Sequence, residues 1–244
     1  MHPEHARLLE EIRKAGRPPA MPPPGNDSFG SSGRVSYFVS VPGRRAIARG
    51  WAQARRQSEP QAVLAVVESL LDGESFEERT LATFLLAYHG PARGAVRPEQ
   101  VESWLGRLNG WAEVDGLCQS LFPADQLLAD WPAWRATLER LAGEPDPNKR
   151  RASLVLLTGP VKASDDPRLK TAAFGAIDRL GSERDPLIAK AVSWLLRALC
   201  QRHRAEVEAY LERHASRLTA LAVRETRTKL ATGVKTPRRP RWGL

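Results

Sequence analysis

Two residues could do chemistry together: Trp111 and Asp115. They are four apart, so on a helix they share a face. A carboxylate beside an indole ring stabilises a cationic group by charge and by cation–π attraction at once. The same spacing also fits a core tryptophan with an exposed aspartate, and the pair alone does not separate the two. A second cluster is Asn148-Lys149-Arg150-Arg151-Ala152, three consecutive cations opening a helix whose continuation, residues 154–157, is apolar. That end of a helix prefers anions, so local stability would not place cations there. A bound phosphate would reconcile them, because amides and cations both attract it, and a plain solvated face fits the cluster equally well. A third is the helix over residues 187–199, where Lys190, Trp194 and Arg197 fall beside a core stripe of Ile188, Ala191, Val192, Leu195 and Leu199. An aromatic flanked by cations suits sugar and phosphate contacts. It also suits a boundary tryptophan with snorkelling neighbours.

Other chemistries find no footing. There is no phosphate-cradling glycine loop ending in Lys-Ser/Thr, no dinucleotide fingerprint and no His-Glu-x-x-His helix. There is no Gly-x-Ser-x-Gly elbow. His2, His5, His89, His203 and His214 fall at ends or on polar faces and are expected at the surface. No metal site and no cofactor is expected. The two cysteines, Cys118 and Cys200, lie far apart in apolar helical patterns and suggest neither a disulfide framework nor zinc.

The elements that must position these residues are helices. Apolar residues recur at helical spacing over residues 4–15, 43–57, 61–71, 98–108, 111–121, 132–141, 148–158, 167–180, 186–202, 204–214 and 219–230. Ser75 with Glu78 three residues later reads as a capping box ahead of Leu81, Phe84, Leu85 and Tyr88. Ser40 followed by Pro42 reads as a cap and first helical turn. Residues 17–32 are rich in Pro, Gly and Ser and exclude regular structure. With no β-rich run, the fold class is all-α, and helical pairs of roughly 35–45 residues suggest a HEAT-like helical-repeat solenoid with a concave basic surface. The expected organisation is an N-terminal helix and connecting segment at 1–33, a repeat domain at 34–232 and a basic arm at 233–244.

The net charge of +9 over 244 residues favours a polyanionic partner, nucleic acid first. No apolar run approaches the ~18 residues of a membrane span. The N-terminus carries no hydrophobic signal core. A cytoplasmic protein is expected.

In order along the chain, these blocks resemble the AlkD-like DNA alkylation repair glycosylases, which fold as HEAT-like repeats. The resemblance covers about residues 28–230. It is carried by Ser28-Phe29-Gly30-Ser31 and Val39-Ser40-Val41-Pro42-Gly43-Arg44-Arg45, by Glu77-Glu78-Arg79, by Trp111-x-x-Val114-Asp115, by Arg150-Arg151-Ala152 and by Lys190-Ala191-Val192-x-Trp194-x-Leu196-Arg197. It implies hydrolysis of the N-glycosidic bond of cationic alkylpurines, such as 3-methyladenine and 7-methylguanine, in duplex DNA. The catalytic set would be Asp115, Trp111 and Trp194. Backbone contacts would come from Arg151 first, then Arg150, Lys149, Lys190, Arg197, Arg44 and Arg45. Bulkier N3 and N7 adducts are within the implied range. The partner would be double-stranded DNA carrying alkylated bases, the protein a monomer without a membrane partner. One departure is Asn148-Lys149, where the family often has an aromatic residue before its arginine pair. The competing reading is a non-catalytic HEAT-like protein that binds branched or damaged DNA.

Overall fold

A computed structural model describes residues 1–23, 32–119 and 121–236. The expected Ser28-Phe29-Gly30-Ser31 block and the tail cations Arg238, Arg239 and Arg241 lie outside the described residues. The fold is all-α and of the helical-repeat kind. Among the described residues there is no strand, and one isolated bridge joins Ala20 to Ser36. The chain divides into two compact units, Met1–Phe122 with Asp130–Thr137 and Pro123–Ala129 with Leu138–Leu244.

The first unit begins with α1 (Pro3–Ala15), whose Leu8, Leu9 and Ile12 recur at helical spacing and are buried. Next come α2 (Val41–Ala54) and α3 (Pro60–Leu71). The Ser40 side chain caps α2 by accepting from the Gly43 amide at 3.2 Å, as expected from Ser40 and Pro42. The central helix is α4 (Phe76–Tyr88). The Ser75–Glu78 capping box starts it, and α1, α2, α3 and α7 all pack on it. Its Leu81, Leu85 and Leu86 are fully buried, each contributing about 1.5–3 kcal/mol by leaving water. The short α5 (Gly90–Gly94), α6 (Pro98–Leu105) and α7 (Gly110–Cys118) follow.

Further along the chain come α8 (Ala124–Ala129) and α9 (Trp131–Leu141). The second unit is built on α10 (Pro147–Thr158), the short α11 (Pro160–Ala163), α12 (Pro167–Leu180), α13 (Pro186–Leu199), α14 (Arg204–His214) and α15 (Ala220–Thr232). Three of these helices start the same way. Asp146, Asp166 and Asp185 each precede a proline and accept the amide of the residue two positions on, at 2.8, 2.9 and 2.7 Å. Aspartate there satisfies an orphan donor and complements the helix dipole, and proline supplies a preset φ. The hub is α13, against which α10, α12, α14 and α15 pack.

The expectation of five surface histidines is corrected for three. His5 is buried between Glu78 (2.7 Å) and Ser69 (2.9 Å). His89 is buried and accepts the Ala92 amide, which starts α5. His203 is buried just before α14. Each sits at a helix end or on α1, where a ring can fill a gap and still reach a polar group.

Candidate functional site

In the first unit the site is the opening of α7. Gly110 has φ +73, a left-handed conformation that favours glycine. The chain thus turns sharply into the helix, and no side chain of Asn109 caps it. Glu113, fully buried, reaches back instead and accepts the Asn109 amide at 2.9 Å. Arg34 donates its Nε to the same carboxylate at 3.0 Å and its Nη2 to the Arg107 carbonyl at 3.0 Å. Asn109 returns the tie by donating Nδ2 to the Ser32 carbonyl at 3.0 Å. Burial raises the Glu113 pKa, opposed by the Asn109 amide and by Arg34 and Arg79.

The segment at 32–39 therefore straps the starts of two helices together. Beyond Arg34, the Phe76 amide donates to the Val35 carbonyl at 3.0 Å. Glu77, fully buried in the first turn of α4, accepts from the Ser36 hydroxyl (2.7 Å), the Tyr37 amide (2.9 Å) and the Val39 amide (3.2 Å). Phe38 sits within this cage at φ +57. That is a strained conformation for an aromatic residue, and it persists only where the surroundings over-determine it. The strap fixes the turn from which α7 departs. Trp111 lies in the first turn of α7, half-buried, and Asp115 follows one turn later, buried to 9% exposure. The helical face expected from their spacing exists, with both side chains partly or largely withdrawn from water.

Arg44 and Arg45 are also in this unit, on α2. Arg45 is exposed and lies over the Phe84 ring at 5.5 Å. Arg44, expected at the DNA backbone, is turned into the fold. It is 4% exposed, bonded to the Thr80 hydroxyl and stacked on Phe76 at 5.0 Å. Burial lowers its pKa to about 10, with the Glu77 charge opposing the shift.

In the second unit α10 carries the basic cluster, and its cations have acidic or carbonyl partners. Lys149 pairs with Glu144 at 3.3 Å. Arg150 forks onto Glu183 at 3.1 Å and donates to the Glu144 and Pro145 carbonyls. Arg151 is buried, and its Nη1 donates to the Leu187 carbonyl at 2.6 Å in the first turn of α13. These partners already offset part of the cluster's charge within the fold. Asp146 at the cap and Glu144 beside it offset the cations that oppose the dipole. The expected ordering of anchors shifts with it: Arg151 braces α10 against α13, while Lys149 and Arg150 keep part of their surface in water.

On α13, Lys190 is exposed and Trp194 half-buried. Arg197 is withdrawn. Its Nε approaches Ser193 (3.3 Å) and Glu225 of α15 (3.5 Å), and burial lowers its pKa. Arg34, Glu77, Arg79 and Glu113 carry the positioning, and sequence reasoning assigned none of them that work. Glu77, Arg79 and Glu113 stand inside the quoted motifs, which was the available signal.

The chain matches the family described as DNA alkylation repair enzyme over residues 9–230. It belongs to that family. A solved structure described as a predicted DNA alkylation repair enzyme from Enterococcus faecalis superposes with a TM-score of 0.65 at 18% identity, covering 95% of this chain and 97% of that one. At that identity the likeness is one of fold. No curated protein matches the chain significantly. Membership assigns the chain a role in DNA alkylation repair, and with it DNA as the partner. No described helix is long and apolar enough to cross a membrane.

Proposed function

We propose that this family member is a DNA glycosylase, which hydrolyses the N-glycosidic bond of cationic alkylated purines in duplex DNA and so initiates base excision repair. The observation that carries the reading is the Trp111–Asp115 pair: a buried carboxylate one turn from a half-buried indole on a short helix whose start is tied down. An alkylated purine already carries positive charge, so it leaves without a strong general acid. Positive charge then develops on the deoxyribose. Asp115 stabilises that charge and orients the attacking water. Trp111 adds its ring face to the same task, and Trp194 is assigned a second sugar-facing indole. A carboxylate already low in water needs little reorganisation as the charge appears.

Exposed Lys190 and Arg45, with half-buried Lys149 and Arg150, are assigned to the phosphates. Arg44, Arg151 and Arg197 are assigned to holding helices. The test is incubation of wild type and Asp115→Asn with methylated duplex, followed by chromatography of free 3-methyladenine and 7-methylguanine. Wild type should release bases, and the variant should do so about 30- to 1000-fold more slowly, the share of barrier one aligned charge supplies. Binding without release from methylated or bulkier N3 and N7 adducts would replace this reading with a non-catalytic binder of damaged DNA.

A further inference from the structure

A cleft of about 680 Å³ opens in the second unit, apart from the residues assigned above. Its floor is apolar, from Leu218, Ala220 and Val223, and its rim holds Arg184, Arg224 and Arg227. All three arginines are exposed. None has a carboxylate partner among the described residues, whereas Arg150, Arg168, Arg197, Arg202 and Arg204 of the same unit all do. Arg224 and Arg227 are three apart on α15 and so project side by side. Three uncompensated guanidinium groups around one cleft repel each other, a cost that a polyanion removes.

We infer that this cleft is a second DNA-backbone site, in which one strand lays phosphates on Arg184, Arg224 and Arg227 and deoxyribose on the apolar floor. An apolar floor bordered by guanidinium groups offers a strand both of the surfaces it presents, sugar and phosphate. The identity of the occupant rests on the proposed function. The position supports it too. Arg184 stands two residues before α13, and Trp194 lies about 12 Å along that helix from its start. A strand running beside α13 would cover that span in about four nucleotides. On the other side of α15, Glu225 accepts from Ser193 at 2.6 Å, so α15 is fixed to the helix that carries Lys190 and Trp194. The cleft would extend the grip on the duplex without touching the reacting sugar.

The experiment is binding of the full chain to unmodified duplex across a salt series, for wild type, Arg224→Ala/Arg227→Ala and Arg224→Lys/Arg227→Lys. Each phosphate contact contributes about 0.9 to the slope of log affinity against log salt. The alanine pair should therefore flatten the slope by about 2 and weaken binding about 10- to 100-fold near 0.1 M salt. The lysine pair should keep the slope, which excludes misfolding as the cause. An unchanged slope in the alanine pair overturns the inference. So does loss of binding to anionic phospholipid vesicles with the duplex slope intact. A flattened slope in a protein that releases no base supports the cleft and removes the glycosylase reading, so the two can fail separately.

Discussion

The carboxylates at the helix starts of the two units find their partners at different ranges. In the second, α10, α12 and α13 each start at an Asp-Pro pair whose carboxylate bonds two residues ahead. At these three starts the work is local, repeated and close to water. In the first, the decisive carboxylates are Glu77, Glu78 and Glu113, all buried, and their partners lie far along the chain. Glu77 holds residues about forty positions earlier, and Glu113 holds Arg34. A local cap defines where a helix starts. A buried carboxylate with distant partners defines where that start sits relative to another element. The candidate catalytic carboxylate, Asp115, is buried two residues after Glu113, on the helix whose start Glu113 and Arg34 hold.

The sharpest way to break this comparison is Glu77→Ala. It would orphan the Ser36 hydroxyl and the Tyr37 and Val39 amides, and leave the buried Arg44 guanidinium without its nearest opposing charge. Urea unfolding should show a loss of about 3–5 kcal/mol, the cost of stranding a buried charge and its donors. A loss no larger than that of a surface cap would mean the strap is incidental. Arg34→Ala is the next step down. Its side chain is 21% exposed while Glu113 is fully buried. The stranded carboxylate should cost about 2–3 kcal/mol after allowance for solvent around the arginine. Because Arg34 sets the start of α7, base release should also slow at saturating protein. Arg34→Lys should restore part of both.

What the sequence revealed follows the same division. The Ser75–Glu78 box and the Ser40 cap lie within a few residues of the helices they begin, so cap chemistry located them, and periodicity located the helices that follow the Asp-Pro pairs. The all-α class followed from the same local signals. The strap did not, because nothing near Arg34 or Ser36 points to Glu113 or Glu77. Residues 17–32 could only be read as irregular. Trp111 and Asp115 were legible as a pair through their spacing and through resemblance, but their burial was not. The burial of Arg44 and Arg151 and the partners of Arg197 were not legible, because a guanidinium near a motif looks like a phosphate contact until its partners are known. Buried histidines escaped because His5 owes its place to Glu78, far along the chain.

Acid should act with opposite signs on two buried carboxylates of the first unit. The bonds from His5 and Ser75 hold the Glu78 pKa below its ordinary value despite burial, which acts the other way. Its stabilising contribution is thus complete above the unfolded pKa near 4.3 and is lost as pH falls through the lower folded value. Glu113 has the reverse sign. Its raised pKa means that protonation near and above pH 4.5 favours the folded state as pH falls. The single variant Glu78→Gln should therefore remove part of the acid loss of stability between about pH 5 and 3, a slope of up to about 1.4 kcal/mol per pH unit for one proton. An unchanged acid slope would show that the His5–Glu78 tie is not what acid breaks.

The smallest expected effect tests the local half of the comparison. Asp185 accepts the Leu187 amide at 2.7 Å ahead of Pro186, at the start of the hub helix α13. Replacing it with alanine orphans one amide and removes one favourable charge from the helix dipole, about 1 kcal/mol in urea unfolding. Asp185→Asn keeps an acceptor in the same place and should recover most of that loss, the remainder being the charge. The same alanine change at Asp146 should cost a similar amount, since the geometry is the same. A cost of several kcal/mol at Asp185 would mean that this carboxylate also does long-range work. The second unit would then be held together as the first is, and the contrast between them would disappear.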